Sequence, residues 1–192
     1  MVKKYLSRTY AFLVYLFLYM PIFLLILFSF NDSRYGGRWQ GFTFKWYTEL
    51  FSDGSIMESL YTTIIVAVIA SIISTVIGTI SAIAIHNMSP RKKAILTNLS
   101  YIPMVNPDIV IGISLLSFFS ILNLKLGYIT LILAHITFNI PYVIFAVLPK
   151  LQQLNPNIEE AALDLGATPI QAFFKVILPE IMPGIITGSL LA

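Results

Sequence analysis

Residues 11–30 read AFLVYLFLYMPIFLLILFSF, a run of 20 residues without a charged side chain. At about 1.5 Å of helix rise per residue, this run is long enough to cross the roughly 30 Å hydrocarbon core of a bilayer. Lys3, Lys4 and Arg8 precede it, as basic residues also do in secretory signal peptides. The run is too long for a signal peptide and no small-residue cleavage site follows it, so the sequence predicts an uncleaved membrane span that Pro21 kinks.

The composition of the whole chain agrees with a membrane protein. Hydrophobic residues make up 57% of its 192 residues and charged residues 11%, whereas a water-soluble domain carries about 25% charged residues. The absence of cysteine excludes disulfides and thiolate metal sites, and the distant His86 and His135 do not make a zinc site. A scattered net charge of +3 argues against nucleic-acid binding. We therefore expect an all-α integral membrane protein in contact with lipid, without metal or nucleic acid.

Further apolar runs predict three more complete spans and the start of another. They cover about residues 59–85, 94–122 and 127–148, and the last run begins at Ile181 and ends with the chain at Ala192. Because twelve residues are too few to cross a bilayer, we expect a chain truncated at its C-terminal end. Within 59–85, small residues recur at every fourth position and predict a face for close helix packing. They are Ala70, Ser74, Gly78 and Ala82.

The distribution of basic residues predicts the orientation in the membrane. Under four alternating spans, eight lysines and arginines lie on the side of the amino terminus and four lie on the other side. The eight are Lys3, Lys4, Arg8, Arg91, Lys92, Lys93, Lys150 and Lys175, and the four are Arg34, Arg38, Lys45 and Lys125. The excess places the amino terminus and loop 149–180 in the cytoplasm and loop 31–58 outside.

Two short amphipathic helices are predicted between Asn155 and Pro179. Asn155-Pro156 and Thr168-Pro169 each combine a capping side chain with a following proline, which is typical of a helix start. Gly166 lies between them and is typical of a left-handed helix end. The apolar faces follow helical spacing and consist of Ile158, Ala161, Ala162 and Leu165, then Ile170, Phe173, Phe174 and Ile177. Such a pair either docks on a protein or lies on lipid, and its residue pattern leaves both open.

The same segment resembles the EAA motif of permease subunits in ATP-binding-cassette (ABC) importers. The matching residues are Glu160, Ala161, Ala162, Gly166, Val176, Ile177, Leu178 and Pro179. The family usually has isoleucine at the position of Val176. In that family the loop inserts a coupling helix into a cleft of the ATPase, so the resemblance implies ATPase coupling by Glu160, Ala161, Ala162, Gly166, Leu178 and Pro179. It also implies a polytopic helical bundle of the type I, MetI-like permease fold, which continues with further membrane helices.

Three other stretches narrow the resemblance to the spermidine/putrescine permeases and are most similar to their second, C-type subunit. They are Phe30–Ser33, Gly41–Tyr47 and Ile102–Gly112, and the resemblance covers essentially the whole chain. It implies a bacterial plasma-membrane permease, not an enzyme, that works by alternating access. Its partners would be a second permease, a cytoplasmic ATPase dimer and an extracellular or periplasmic substrate-binding protein. The ATPase would use ATP and magnesium, and this chain, which lacks a phosphate-binding glycine-lysine loop, is expected to bind no cofactor.

Asp108 is the candidate residue for the passage of cations. It lies about 14 residues into the third predicted span, on the order of 20 Å of helix rise, where a carboxylate is costly and usually faces a watery pathway. Asn106 could cap and Pro107 could start a half-helix there, and broken helices often border transport sites. The alternative is that Asp108 only satisfies backbone amides at the break.

Trp46 is the second candidate for the substrate path, because aromatic faces attract alkylammonium groups. Its aromatic neighbours in the sequence are Tyr35, Trp39 and Tyr47. The alternative is an aromatic belt at the membrane interface. Glu49 and Asp53 are weaker candidates, either as solvated charges or as contacts for a binding protein.

His135 and Asn139 lie one turn apart in the fourth predicted span, and an interhelical hydrogen bond is expected there rather than a proton relay. Two other functions stay open. The motif does not encode the solute, so iron or sulfate could be carried instead of a polyamine. An ion-coupled secondary transporter or a membrane scaffold would need no ATPase.

Overall fold

The structure, a computed structural model, describes residues 2–33 and 37–192. Arg34 and Tyr35, which entered the predictions of orientation and of the aromatic group, lie outside the described residues. In the described ranges the chain forms α-helices, one π-helical turn and no strand, which confirms the all-α prediction. The elements are α1 (Val2–Phe28), α2 (Lys45–Ser52), α3 (Gly54–His86), α4 (Pro90–Val105), α5 (Asp108–Ile121), α6 (Tyr128–Gln153), α7 (Ile158–Asp164), α8 (Pro169–Ala172), the π-helical turn (Phe173–Ile177) and α9 (Leu178–Leu191).

Four helical stretches in the described ranges are long and apolar enough to cross a membrane. They are Tyr5–Phe28, Gly54–His86, Tyr128–Gln153 and the continuous stretch Pro169–Leu191. Helices α4 and α5 are long and apolar enough to cross a membrane only when they are taken together as a pair. They meet at a bend of 103°. The third predicted span is therefore two helices, and the number of crossings is four or five.

The last membrane helix differs from its prediction. We expected a break before Pro179 and a new apolar run from Ile181, but the helical backbone continues from Pro169 to Leu191. In the π-helical turn the amide of Leu178 donates to the carbonyl of Phe173, five residues earlier. Pro179, which has no amide hydrogen to donate, follows at the position where π hydrogen bonding changes to α hydrogen bonding. The proline is thus accommodated inside the helix.

The chain divides into two compact units at Tyr61 and Thr62. The first unit contains α1, α2 and the loop between them. The apolar side chains of α1 are exposed along the whole of Tyr5–Phe28, as expected for a helix whose surroundings are apolar on every side.

One buried side chain organises the loop of the first unit. Asn31 is almost fully buried, and its Nδ2 donates to the Arg38 carbonyl at 2.8 Å while its Oδ1 accepts from the Gln40 amide at 2.7 Å. An isolated β-bridge also joins Asn31 to Phe42. Because a buried carboxamide must be hydrogen-bonded, Asn31 holds the loop in one conformation.

The core of the second unit lies between α3, α6 and α9. Its buried residues are Ala82, Ile85, Val143, Ile144, Val147, Leu148, Leu151 and Ile181. The predicted packing face of α3 is confirmed, since Ala70, Ser74, Gly78 and Ala82 are all buried. A Cβ on Gly78 would lie 2.6 Å from Cβ of Val143, and one on Gly188 would lie 3.1 Å from Cα of Val143. Glycine therefore lets both α3 and α9 approach α6 closely.

Candidate transport and coupling sites

The first candidate site is the break between α4 and α5. Asn106 and Pro107 both have extended backbones, with ψ of 143° and 132°. A residue before proline is disfavoured in helical conformation, so α4 ends at Val105. The predicted cap is wrong in detail, because Asn106 Nδ2 donates backwards to the Ile102 carbonyl at 3.0 Å. The side chain of Asn106 thus closes α4 and does not cap α5.

Asp108 begins α5 in the first turn after the bend. Its side chain is exposed, and no hydrogen bond or ion pair to it is found among the described residues. The amides at this helix start carry partial positive charge. The alternative that Asp108 only satisfies the amides of the break has no hydrogen bond to support it. A free carboxylate at a broken membrane helix is a chemically suitable site for a cation.

The path of the bent pair follows from its contacts with α6. The end of α3 packs against the C-terminal half of α6 in the core, and α4 starts four residues after α3 ends. Tyr101 of α4 makes an edge-to-face contact with Phe145 of α6, at 5.6 Å between ring centroids. Gly112 and Phe119 of α5 line a cavity with Thr130, at the other end of α6. The pair therefore runs from one end of α6 to the other.

The second candidate site is the helix pair α7–α8. Gly166 has a φ of +84°, so its predicted left-handed conformation is confirmed. The amide of Ala167 donates to the Ala162 carbonyl at 3.1 Å and that of Gly166 to the Leu163 carbonyl at 2.9 Å, which closes α7 as a Schellman motif does. The predicted cap at Thr168 is also confirmed, because its Oγ1 accepts from the Gln171 amide at 3.3 Å.

The start of α7 differs from the prediction. The helix begins at Ile158, two residues after Pro156. The Oδ1 of Asn155 accepts from the amide of Asn157 at 3.0 Å. This local turn competes with helix initiation, so Asn155 shapes the entry to the helix without capping it.

The tip of the α7–α8 pair presents apolar side chains to the surroundings. Leu165 is 90% exposed, Ile170 71% and Phe174 60%. The sequence placed these residues on the apolar faces of the two helices, and only Ala162 and Ala172 are buried in α7 and α8. Apolar side chains grouped around a rigid glycine turn are typical of a protein-docking surface. The signal available in the sequence was the place of Leu165 directly before Gly166, at the end of α7.

The residues matched to the EAA motif fall into two groups. Glu160 and Ala161 are exposed on α7, whereas Ala162 is buried against the rest of the pair. Leu178 packs against the core of the second unit, and Pro179 stands exposed in the first turn of α9. The motif thus connects an exposed tip to the α6–α9 packing.

A cavity separates this helix pair from the ends of the membrane helices. It has a volume of about 280 Å³ and is lined by His86 of α3, Gln152 of α6, Glu159 of α7 and Phe173 of the π-helical turn, among others. The pair packs on the π-helical turn, and α5 packs on α6. Within the described part of the second unit, the two candidate sites are therefore linked through α6 and α9.

Trp46 lies in the first unit, and the structure gives it two partners. Its indole Nε1 donates to the Asn31 carbonyl at 2.8 Å. The ammonium of Lys45 lies 5.2 Å from the centroid of its ring, which is within cation–π range. Trp46 also lines a cavity of about 520 Å³ with Tyr47, whose hydroxyl bonds to Ser29 Oγ at 2.7 Å. Trp46 therefore supports the loop and also lines a cavity.

The weaker candidates of loop 31–58 have structural partners. Glu49 forms an exposed ion pair with Lys45 at 3.8 Å. Asp53 Oδ1 accepts from the amides of Ser55 at 2.9 Å and Ile56 at 3.3 Å, so it caps the start of α3. Trp39 is 52% exposed.

Asn139 and His135 of α6 differ in burial and in their hydrogen bonds. Asn139 is buried and its Nδ2 donates to the carbonyl of Ala192, the residue that ends α9 as its C-cap, which confirms the interhelical hydrogen bond expected for Asn139. His135 is exposed. In the described residues no group of three or more histidine, aspartate or glutamate side chains could hold a metal ion.

Several apolar helices, a free carboxylate at a helix break and an exposed apolar tip are features of a multi-pass membrane transport protein. Comparison with known proteins supports this class. A family described as binding-protein-dependent transport system inner membrane component matches residues 74–192. The spermidine/putrescine transport system permease protein PotC of Haemophilus influenzae is 36% identical over 192 residues, which are all of this chain and 75% of the relative.

Two Escherichia coli K12 proteins give similar results. The spermidine/putrescine transport system permease protein PotC of this strain is 37% identical over 192 residues, which are all of this chain and 73% of the relative. Its putrescine transport system permease protein PotI is 37% identical over 183 residues, which are 92% of this chain and 65% of the relative. This chain belongs to the binding-protein-dependent transport permeases, as the resemblance to ABC importer permeases implied. It is a multi-pass inner-membrane protein whose family works in transport and not in enzymatic catalysis.

Proposed function

We propose that this chain is the C-type permease subunit of an ABC importer for polyamines such as spermidine and putrescine. The observation that supports this cargo best is the exposed, unpaired carboxylate of Asp108 at the break of a membrane helix pair, in a chain similar to permeases named for spermidine and putrescine. A polyamine is a flexible polycation, so a fixed negative charge on its route would compensate for the lost hydration of each ammonium group.

Asp108 is the proposed contact for the ammonium groups inside the membrane. Trp46, which lines a cavity of the first unit, is a second contact on the outer side, through the face of its ring. Lys45 already lies over the ring, so an arriving ammonium group would have to displace it from the aromatic face. Trp46 is therefore the weaker of the two contacts.

The α7–α8 pair is proposed to dock on a cytoplasmic ATPase dimer. The apolar side chains of Leu165, Ile170 and Phe174 would enter a cleft of the ATPase, and Glu160, Ala161 and Ala162 would shape the docked helix. Closure of the ATPase dimer on ATP would move the pair. Gly166 would transmit the movement between the two helices, and Leu178 and Pro179, in the first turn of α9, would carry it into that helix. A second permease subunit would complete the path, and a binding protein would deliver the cargo.

The orientation is part of the proposal. The excess of basic residues on the side of the amino terminus and of loop 149–180 places both in the cytoplasm. This requires α4 and α5 to cross the bilayer once as a pair, because otherwise α6 would carry the coupling helices to the opposite side. The path of the pair from one end of α6 to the other supports a single crossing.

The test is uptake of labelled spermidine and putrescine by bacteria that lack their own polyamine importers and carry the complete transporter. We expect uptake to fall about tenfold or more in Asp108→Asn, since one charge-assisted contact is lost. The matched control is Glu58→Gln, which removes an exposed carboxylate of α3 outside the proposed contacts, so uptake should stay within about twofold.

The outcomes separate the parts of the proposal. Uptake that survives Asp108→Asn contradicts the role of this carboxylate and leaves the cargo unchanged. Absence of uptake by an unmodified transporter that is correctly inserted contradicts the polyamine cargo and favours a solute such as iron or sulfate. In proteoliposomes, uptake driven by an ion gradient without ATP would favour a secondary transporter and contradict the ATPase coupling.

A further inference from the structure

His135 is an ionisable residue at membrane depth without a partner. It lies seven residues after Tyr128, the first residue of α6, which corresponds to about 10 Å along the helix. Its side chain is exposed, and among the described residues no hydrogen bond, ion pair or ring contact to it is found. Asn139, one turn further along, already donates to the carbonyl of Ala192.

The surroundings of His135 divide α6 into two halves. From Val143 to Leu151 the helix is largely buried in the core against α3 and α9. From Tyr128 to Phe138 most of its side chains are exposed or half-buried. His135 therefore lies on the part of α6 that leaves the packed core, and its exposure is a property of that half of the helix.

An imidazole cannot simply face lipid at this depth. Ionisable side chains within membrane spans are costly in hydrocarbon and almost always face a protein interior or a water-filled cavity. Leu133 is 42% exposed and points about 200° away around the helix, so an apolar side chain is available for the lipid side. His135 and Leu133 therefore lie at nearly the same depth in the membrane, but one side chain is polar and the other apolar.

We propose that His135 lines the water-filled part of the translocation path and accepts a hydrogen bond from the passing cargo. A neutral imidazole has one nitrogen that can accept from an ammonium group, and it would add a directional contact to the negative charge of Asp108. The location in the path does not depend on the identity of the cargo. The hydrogen bond to an ammonium group rests on the proposed polyamine function.

The location is tested by cysteine labelling in the complete transporter, because this chain contains no cysteine. His135→Cys and Leu133→Cys are exposed separately to a charged, membrane-impermeant thiosulfonate, and labelling of this subunit is followed on a gel. We expect His135→Cys to react about tenfold faster or more, because only an ionised thiol in water is nucleophilic. Equal, slow labelling at both positions would overturn the location in the path.

A second measurement needs no variant. His86 and His135 are the two histidines of the chain, so carbethoxylation of the unmodified transporter can be followed at each by mass spectrometry. We expect spermidine to protect His135 and to leave the rate at His86 unchanged. Labelling of His135 that no polyamine slows would retain the location in the path and overturn the contact with the cargo. Failure of His135 to react would overturn both.

Two substitutions of His135 distinguish a hydrogen bond to the cargo from a role in packing. His135→Asn keeps a hydrogen-bond acceptor, and His135→Leu removes it. We expect the KM for spermidine to rise about tenfold in His135→Leu with the amount of transporter unchanged, and to rise less in His135→Asn. Equal KM values in both variants and in the unmodified transporter would overturn the contact.

Discussion

The α3–α6–α9 core and the bent α4–α5 pair are built from similar apolar residues but are held in opposite ways. In the core, glycines let backbones approach so closely that a Cβ on Gly78 would lie 2.6 Å from Val143. In the bent pair, Gly112 has no atom within 4 Å of the same added atom. Hydrophobicity alone does not drive helices together in lipid. The difference therefore shows that the α3–α6–α9 core is fixed by close packing, whereas the bent α4–α5 pair keeps a surface that is free to contact cargo or partners.

The largest difference is expected between two isoleucines. Ile181 is fully buried in the core, whereas Ile109 of α5 is 74% exposed. Ile181→Ala should lower the free energy of unfolding by about 3 kcal/mol, mainly through the cavity it leaves. Ile109→Ala should change it by less than about 0.5 kcal/mol, as a surface substitution does. Unfolding of the purified transporter in denaturing detergent measures both, and equal losses would show that α5 is packed as tightly as the core.

A smaller effect is expected from adding one methyl group. Gly78→Ala should destabilise by about 1–2 kcal/mol, because Val143 or the backbone of α3 must shift. Gly112→Ala should be neutral or stabilise by about 0.5 kcal/mol through improved helix propensity. The same unfolding measurement applies. Stabilisation by Gly78→Ala would mean that α3 and α6 lie further apart than described.

The smallest effect tests the contact that joins the two regions. Tyr101 of α4 meets Phe145 of α6 edge to face, and such aromatic pairs contribute about 0.5–1.5 kcal/mol beyond their area. Tyr101→Leu should therefore lower the unfolding free energy by about 1 kcal/mol. Combined with Phe145→Leu, the loss should be less than the sum of the single losses. Additive losses would mean that the bent pair does not rest on α6 through this contact.

The same contrast explains what the sequence could predict. Local rules succeeded where one or two residues determine the backbone, as at Gly166, at Thr168 and at the break before Pro107. The small-residue face of α3 was also predictable, because its spacing survives in a helix that is apolar on all sides. These features depend on sterics and hydrogen bonds within a few residues.

The errors arose where contacts distant in sequence or competing local bonds decide the outcome. Asn155 and Asn106 were taken as caps, but each side chain found a nearer backbone partner. The helix was expected to stop before Pro179, and the π-helical turn accommodated the proline instead. The partner of Asn139 depends on where α9 packs, which periodicity in an apolar helix does not reveal.

The 103° bend between α4 and α5 also has a consequence for insulation of the membrane. The last carbonyls of α4 and the first amides of α5 lack helical partners at the break, and such groups are not tolerated in contact with hydrocarbon. Water or neighbouring protein must satisfy them, so the oily barrier is interrupted at this point. Where water does so, the wet region inside the bilayer shortens the distance over which ions are excluded. The remaining thickness on either side has to form the electrical seal of the resting transporter.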